Sequence, residues 1–120
     1  MSKLLVPNST QVPNVLLDEL MPILGGAEFK CLMYIARRTY GFRKSYDSIS
    51  LTQFEDGIIT KDGKKLDSGT GLSRETIIIS LQKLVEMGVI LKNESQETHG
   101  YSINPKFDLK GVVGKSNLVS

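Results

Sequence analysis

The chain holds one cysteine, Cys31, and one histidine, His99. A lone cysteine excludes an internal disulfide, and so small a set of soft ligands argues against a zinc site built by the protein. Uninterrupted apolar runs are only a few residues long, as in Leu4-Leu5-Val6 and Val89-Ile90-Leu91. These fall far short of the roughly 20 residues that span a membrane. Lys3 alone ahead of a three-residue apolar patch is too little for a secretory signal. Internal repeats and low-complexity tracts are missing too. A reducing, cytoplasmic setting is expected, and 120 residues suit one domain with a modest core.

The net charge of +2 says little, but its distribution is uneven. Residues 25–49 carry Lys30, Arg37, Arg38, Arg43 and Lys44 against Glu28 and Asp47, five minus two. Residues 100–120 carry Lys106, Lys110 and Lys115 against Asp108, three minus one. Such patches suit an anionic partner, and an ordinary solvated surface produces them as well.

Residues 1–12 lack periodicity and read as a flexible leader. "PNVLLDELMPIL" reads as a short helix carrying Val15, Leu16 and Leu20 inward, with Asn14 as its cap and Pro22 ending it. After Gly25-Gly26, "AEFKCLMYIARRTYGF" reads as a helix. Phe29, Leu32, Met33, Ala36 and Tyr40 form one stripe, Arg37 and Arg38 suit the negative end of the dipole, and Gly41 is the expected stop. A short extended piece is expected around Ile49. Ser50 then caps a helix that turns Leu51 and Phe54 inward and ends at Gly57. Asp62-Gly63, flanked by Thr60-Lys61 and Lys64-Lys65, is a two-residue hairpin signal. "VILKN" and "YSIN" read as two strands around a polar turn, closed by Pro105.

Between them lies "GLSRETIIISLQKLVEMG". Ser73 is the natural cap, Glu75 suits the positive helix end, and Gly88 terminates. At about 100° per residue, Ile77, Leu81, Leu84 and Val85 share one sector, the core face. Ile78 falls at its edge. Ile79, about 200° from Ile77, points outward among Glu75, Thr76, Gln82, Lys83 and Glu86.

The order of elements predicts a mainly α (α+β) winged helix-turn-helix. Three to four helices precede a small antiparallel β-hairpin wing, and a loop or hairpin is inserted between the second and third core helices. Residues 13–105 form the domain, and residues 106–120 a flexible tail or linker. In this layout the third helix fits the DNA major groove, where Arg74 reaches a guanine edge or a phosphate. Thr76, Gln82 and Lys83 offer polar contacts. The outward Ile79 meets a thymine methyl group, packs on a partner chain, or is simply tolerated; the sequence leaves all three open.

"TQVPNVLLDELMPILGGAEFKCLMYIARRTYGFRKSYDSISLTQF" resembles the N-terminal domain of phage O-type replication proteins, with "QVPN", "R-x-T-Y-G-F-x-K" and "I-S-L-x-Q-F" carrying the resemblance. "LDSGTGLSRETIIISLQKLVEMGVI" is similar to that family's recognition helix and first wing strand, so the likeness covers roughly residues 10–105. It implies an origin-binding module that docks on repeated DNA sites as a dimer, while a separate C-terminal part recruits replicative helicase or loader machinery. By position it implies Ser73, Arg74, Thr76, Ile78 and Ile79 on the reading helix, Gln82 and Lys83 near the backbone, and Arg43 and Lys44 on phosphates. Three features depart from the pattern. About a dozen residues separate Gly57 from Leu72, where Lys61, Lys64 and Lys65 either add phosphate contacts or only decorate the surface; Glu94 and Glu97 sit at the expected wing tip; and these 120 residues hold no C-terminal partner domain, so that either a fragment or a binding module alone is expected.

Catalytic signatures do not assemble. "GVVGKS" at 111–116 places two residues where a phosphate loop needs four, and "GLSRE" lacks the second glycine of a nucleophile elbow. His99 reads as a turn residue, and Asp56, Asp62 and Asp67 fall in turns where aspartate serves the backbone. The sequence therefore predicts a non-enzymatic, cofactor-free and metal-free binder of double-stranded DNA, specific in sequence and serving replication initiation. A transcriptional regulator of the same fold, or a winged helix used for protein contacts in primosome assembly, is the alternative.

Overall fold

A computed structural model describes residues 9–94 and 99–107. The expected phosphate-loop look-alike at 111–116, Glu97, and most of the leader and tail lie outside them.

The chain first makes a π-helical turn, Leu16–Leu20, in which the Met21 N–H reaches back to the Leu16 carbonyl at 3.1 Å. Leu16 and Leu20 are buried, as their spacing predicts. Asn14 does not cap this turn. It lies inside the opening turn, and the Leu16 N–H bonds instead to the Pro13 carbonyl. Val12, from the stretch expected to be leader, packs partly buried against the core.

Helix α1 spans Gly26–Thr39, and the Glu28 carboxylate accepts the Gly25 N–H at its start. Its buried face differs from the expected stripe. Leu32 and Ala36 are buried, but Phe29 and Met33 are only half-buried and Tyr40 is exposed. The buried arc instead runs through Cys31, Tyr34, Ile35, Arg38 and Thr39. Counting apolar residues missed it because the polar tips on this arc find partners on other elements. Thr39 bonds its own helix, its hydroxyl donating to the Ile35 carbonyl at 2.8 Å. Gly41 is not the stop either. A 3-10 turn, Tyr40–Phe42, follows α1, and the chain reverses at Arg43, whose φ of 55° is left-handed. A Cβ at Gly41 would meet the tip of the exposed Arg37 side chain and the Thr10 hydroxyl, so those two side chains pack over the glycine.

Strand β1, Asp47–Ser48, leads to helix α2, Leu51–Asp56. Ser50 caps α2 as expected: its hydroxyl accepts the Gln53 N–H at 3.0 Å while the Gln53 side chain accepts the Ser50 N–H. Phe54 is fully buried, and Gly57 turns the chain at φ 88°.

The insertion folds back on the domain. Its Asp62-Gly63 turn closes one bridge, Ile59 to Lys65, rather than a full hairpin ladder. Tyr34 donates to the Asp67 carboxylate at 3.0 Å, and the Thr70 hydroxyl donates to the Phe54 carbonyl at 2.6 Å. A segment with little apolar content is thus tied to α1 and α2 by hydrogen bonds.

Helix α3 spans Arg74–Glu86, with Ser73 accepting the Thr76 N–H. Ile77, Leu81 and Leu84 are buried as expected. Val85, expected in the core, is 40% exposed, and Ser80 is buried in its stead. The buried seam is therefore rotated toward Ser80, a small polar residue that an apolar count ignores. At Gly88, φ 76°, the Gly88 N–H bonds the Val85 carbonyl and the Val89 N–H bonds the Leu84 carbonyl. These two bonds satisfy carbonyls that the last helical turn leaves open.

Strands β2, Ile90–Asn93, and β3, Gly100–Ile103, pair antiparallel, and β1 adds to the far side of β3, giving the order β1-β3-β2. Asn104 ties the end of β3 back to the carbonyls of Gly88 and Val89. Phe54 joins helices to sheet, its ring 5.4 Å from both Tyr34 and Tyr101. The result is a mixed α+β domain with a small three-stranded antiparallel sheet, an order compatible with a winged helix. Among the described residues no helix is long and apolar enough to cross a membrane.

Candidate functional site

Ile77, Leu81 and Leu84 anchor α3, so the opposite side of the helix faces solvent. Arg74, Glu75, Ile78, Ile79, Gln82, Lys83 and Glu86 are all exposed there, and Thr76 is half-buried. Ile79 is 66% exposed, which matches its expected outward direction. Ser73 and Thr76 bond each other at 2.9 Å, so the two hydroxyls at the helix start are partly occupied by the cap.

Arg74 is not covered by the chain; its side chain is 51% exposed. Nor does it project alone. Its Nε donates to Glu55 Oε1 at 2.8 Å, and Nη2 lies 2.7 Å from the same oxygen. Nη2 also donates to Thr52 Oγ1 at 2.9 Å. Glu55 and Thr52 lie on α2, 19 and 22 residues away, beyond the reach of any local sequence pattern. The sequence names neither as a site residue.

Ile78 and Val85 look to one side of this face. With Leu51, Leu81 and Tyr101 they floor a groove of about 570 Å³ between α3 and the sheet. Its rim holds Glu86, Glu94, Lys92 and His99, and Lys92 pairs with Glu94 at 3.2 Å. The described ends of β2 and β3 therefore bring acidic as well as basic charge toward α3.

The remaining expected cations are dispersed. Arg43 and Lys44 line a separate concavity with Gln11, Val12, Pro13, Asn14 and Tyr40. This brings the "QVPN" and "GFRK" stretches together in space. Sheet register runs away from them toward the start of β3: Asp47 pairs with Tyr101, whereas Ile49, farther along, meets His99. Lys44 also pairs with Asp47 at 3.5 Å. Lys61, Lys64 and Lys65 are exposed on the insertion.

Arg38, which the sequence places in the basic stretch 25–49 and at the negative end of its helix, is the most connected cation among the described residues. Its guanidinium meets Asp47 at 2.9 Å, Gln53 Oε1 at 3.2 Å, the Ser48 carbonyl at 3.2 Å and the Tyr34 hydroxyl at 3.4 Å. Its side chain is 7% exposed, so it joins α1, β1 and α2 from within. Burial raises the Tyr34 pKa against the opposing pull of Arg38. Burial likewise pushes the Cys31 thiol up to about 11 and Tyr101 up to about 12. These groups stay protonated at neutral pH and are not poised for proton transfer. Among the described residues no three His, Cys, Asp or Glu side chains gather as a metal-holding group.

These features define a class: a small α+β module that presents one capped helix, its outer face open and its leading arginine braced by the helix before it. The chain belongs to the bacteriophage replication protein O family, whose model matches residues 8–107. No curated protein and no solved structure shows significant similarity to it. The family supports a role in phage replication initiation.

Proposed function

We propose that the chain is a winged helix that binds double-stranded DNA in a sequence-specific manner as an origin-recognition module, acting by binding and not by catalysis. The open face of α3, with Arg74 at its N-terminal end, is the observation that carries this reading. A helix of 13 residues, bare on one side and anchored on the other, suits the roughly 12 Å width of a major groove. Arg74 takes a guanine edge or phosphate, Gln82 and Lys83 lie farther along, and Arg43 with Lys44 supplies phosphate contacts on a second patch. Family membership favours replication over transcription control. Replicative helicase or loader machinery, and a second copy of this chain, are the protein partners that accompany this role.

Selection of bound duplexes from a random pool at physiological salt tests the reading. Enrichment of a short repeated site, with affinity falling steeply as salt rises, is the expected result. Lys44→Ala then weakens all duplexes alike.

A protein-contact module is the second reading. Exposed Ile78, Ile79 and Val85, with Glu75 and Glu86 on the same helix, favour it. No enrichment and no salt dependence would select this reading over the first.

A further inference from the structure

We propose that Glu55 is a specificity-determining positioning residue: together with Thr52 it holds Arg74 against α2 and so decides how the guanidinium meets a duplex. The inference rests on the DNA-binding reading above. A guanidinium carries five N–H donors in a rigid fork. Nε and Nη2 are committed to α2 through the Glu55 carboxylate and the Thr52 hydroxyl, at 2.7 to 2.9 Å. The other end, Nη1, has no protein partner among the described residues, and the side chain as a whole is 51% exposed.

Two consequences follow. A long side chain already held in one geometry loses less freedom when it docks, so the site is preorganised for one position of the acceptor. The Glu55 carboxylate also offsets the arginine's charge toward phosphates in general, which lowers sequence-independent attraction. An unbraced arginine would do the reverse, gripping any nearby phosphate and reading bases less well. The brace spans two helices, so it also fixes the arginine relative to α2 as well as α3.

The test compares affinity for the duplex that the wild-type chain selects with affinity for a scrambled duplex, at fixed salt. Glu55→Gln should bind the scrambled duplex several-fold tighter and lower the selected-to-scrambled ratio about tenfold. Thr52→Val should shift the ratio the same way by a smaller factor. In an Arg74→Ala background, Glu55→Gln should leave the ratio unchanged, which a merely structural role for Glu55 would not produce. If Glu55→Gln does not fold, as judged by circular dichroism, Thr52→Val on the exposed surface carries the test. A ratio unmoved in the folded single variants overturns the proposal and leaves the DNA-binding reading standing. A wild-type chain that prefers no duplex overturns both.

Discussion

Two arginines in this domain make nearly the same bond in opposite surroundings. Arg38 meets Asp47 at 2.9 Å and Arg74 meets Glu55 at 2.7 Å, each joining two separate elements. Arg38 is 7% exposed at the side chain and Arg74 is 51% exposed. The buried pair has lost its hydration, so its charge must be matched by Asp47, Gln53, Tyr34 and the Ser48 carbonyl together. The exposed pair is screened by water and contributes under about 1 kcal/mol to stability. One arginine is spent on the fold, and the other is left with capacity for a partner. Distance alone would have ranked them equal.

Substitution of the buried arginine should break that comparison most sharply. Arg38→Ala should destabilise the domain by about 2–4 kcal/mol, because it removes the buried cation that joins three elements and leaves Asp47 with only the exposed Lys44 opposite it. Chemical denaturation measures it, and Arg38→Met combined with Asp47→Leu should recover part of the loss. A loss below about 1 kcal/mol would mean that water reaches the cluster.

Alkaline titration probes the same interior. Burial raises Tyr101 from 10.0 to about 12 and Cys31 from 9.0 to about 11. Between the ordinary and raised values the folded chain holds protons that the unfolded chain has released. Stability is therefore complete below about pH 9 and falls progressively towards pH 12, which melting temperatures across that range should reveal.

Arg74→Ala should act in the opposite sense to Arg38→Ala. Stability should change by less than about 1 kcal/mol, while specific duplex binding weakens by about 1–3 kcal/mol and sequence preference relaxes. Unchanged affinity for the preferred duplex would remove α3 from the interface. The smallest expected change comes from Ile79→Ser, whose side chain is 66% exposed: stability should move by less than about 0.5 kcal/mol. Loss of self-association with DNA affinity intact would assign Ile79 to a protein contact, and weaker binding to thymine-containing sites would assign it to the groove.

Local features were legible in the sequence where a residue and its immediate neighbours complete the interaction. Ser50 and Ser73 cap their helices through bonds to the residue three positions on, and Gly57 and Gly88 end their helices as expected, both at positive φ. Ile77, Leu81 and Leu84 anchor α3, and Ile79 faces out, because helix geometry alone sets their angles. The face of α1 was misread for the complementary reason. Tyr34, Arg38 and Thr39 look like surface residues in a hydrophobicity count, yet each is buried. Asp67, Asp47 and Gln53, which meet Tyr34 and Arg38, lie 9 to 33 residues away. Val85 differs from its expected place for a similar reason: the small polar Ser80, not Val85, completes the buried seam of α3.

The candidate site divides along the same line. The amino-acid order by itself determined that a capped amphipathic helix would begin at Ser73, carry Arg74 in its first turn, and end at Gly88, since caps, helical period and chain reversal depend on residues within a few positions of one another. Only the tertiary structure decided that Arg74 is braced by Glu55 and Thr52, that Arg38 is buried, and that Arg43 and Lys44 line a concavity with the "QVPN" stretch. Those outcomes depend on which distant side chains folding brings within about 3 Å, and a charge acquires its role only when its partners and its access to water are settled.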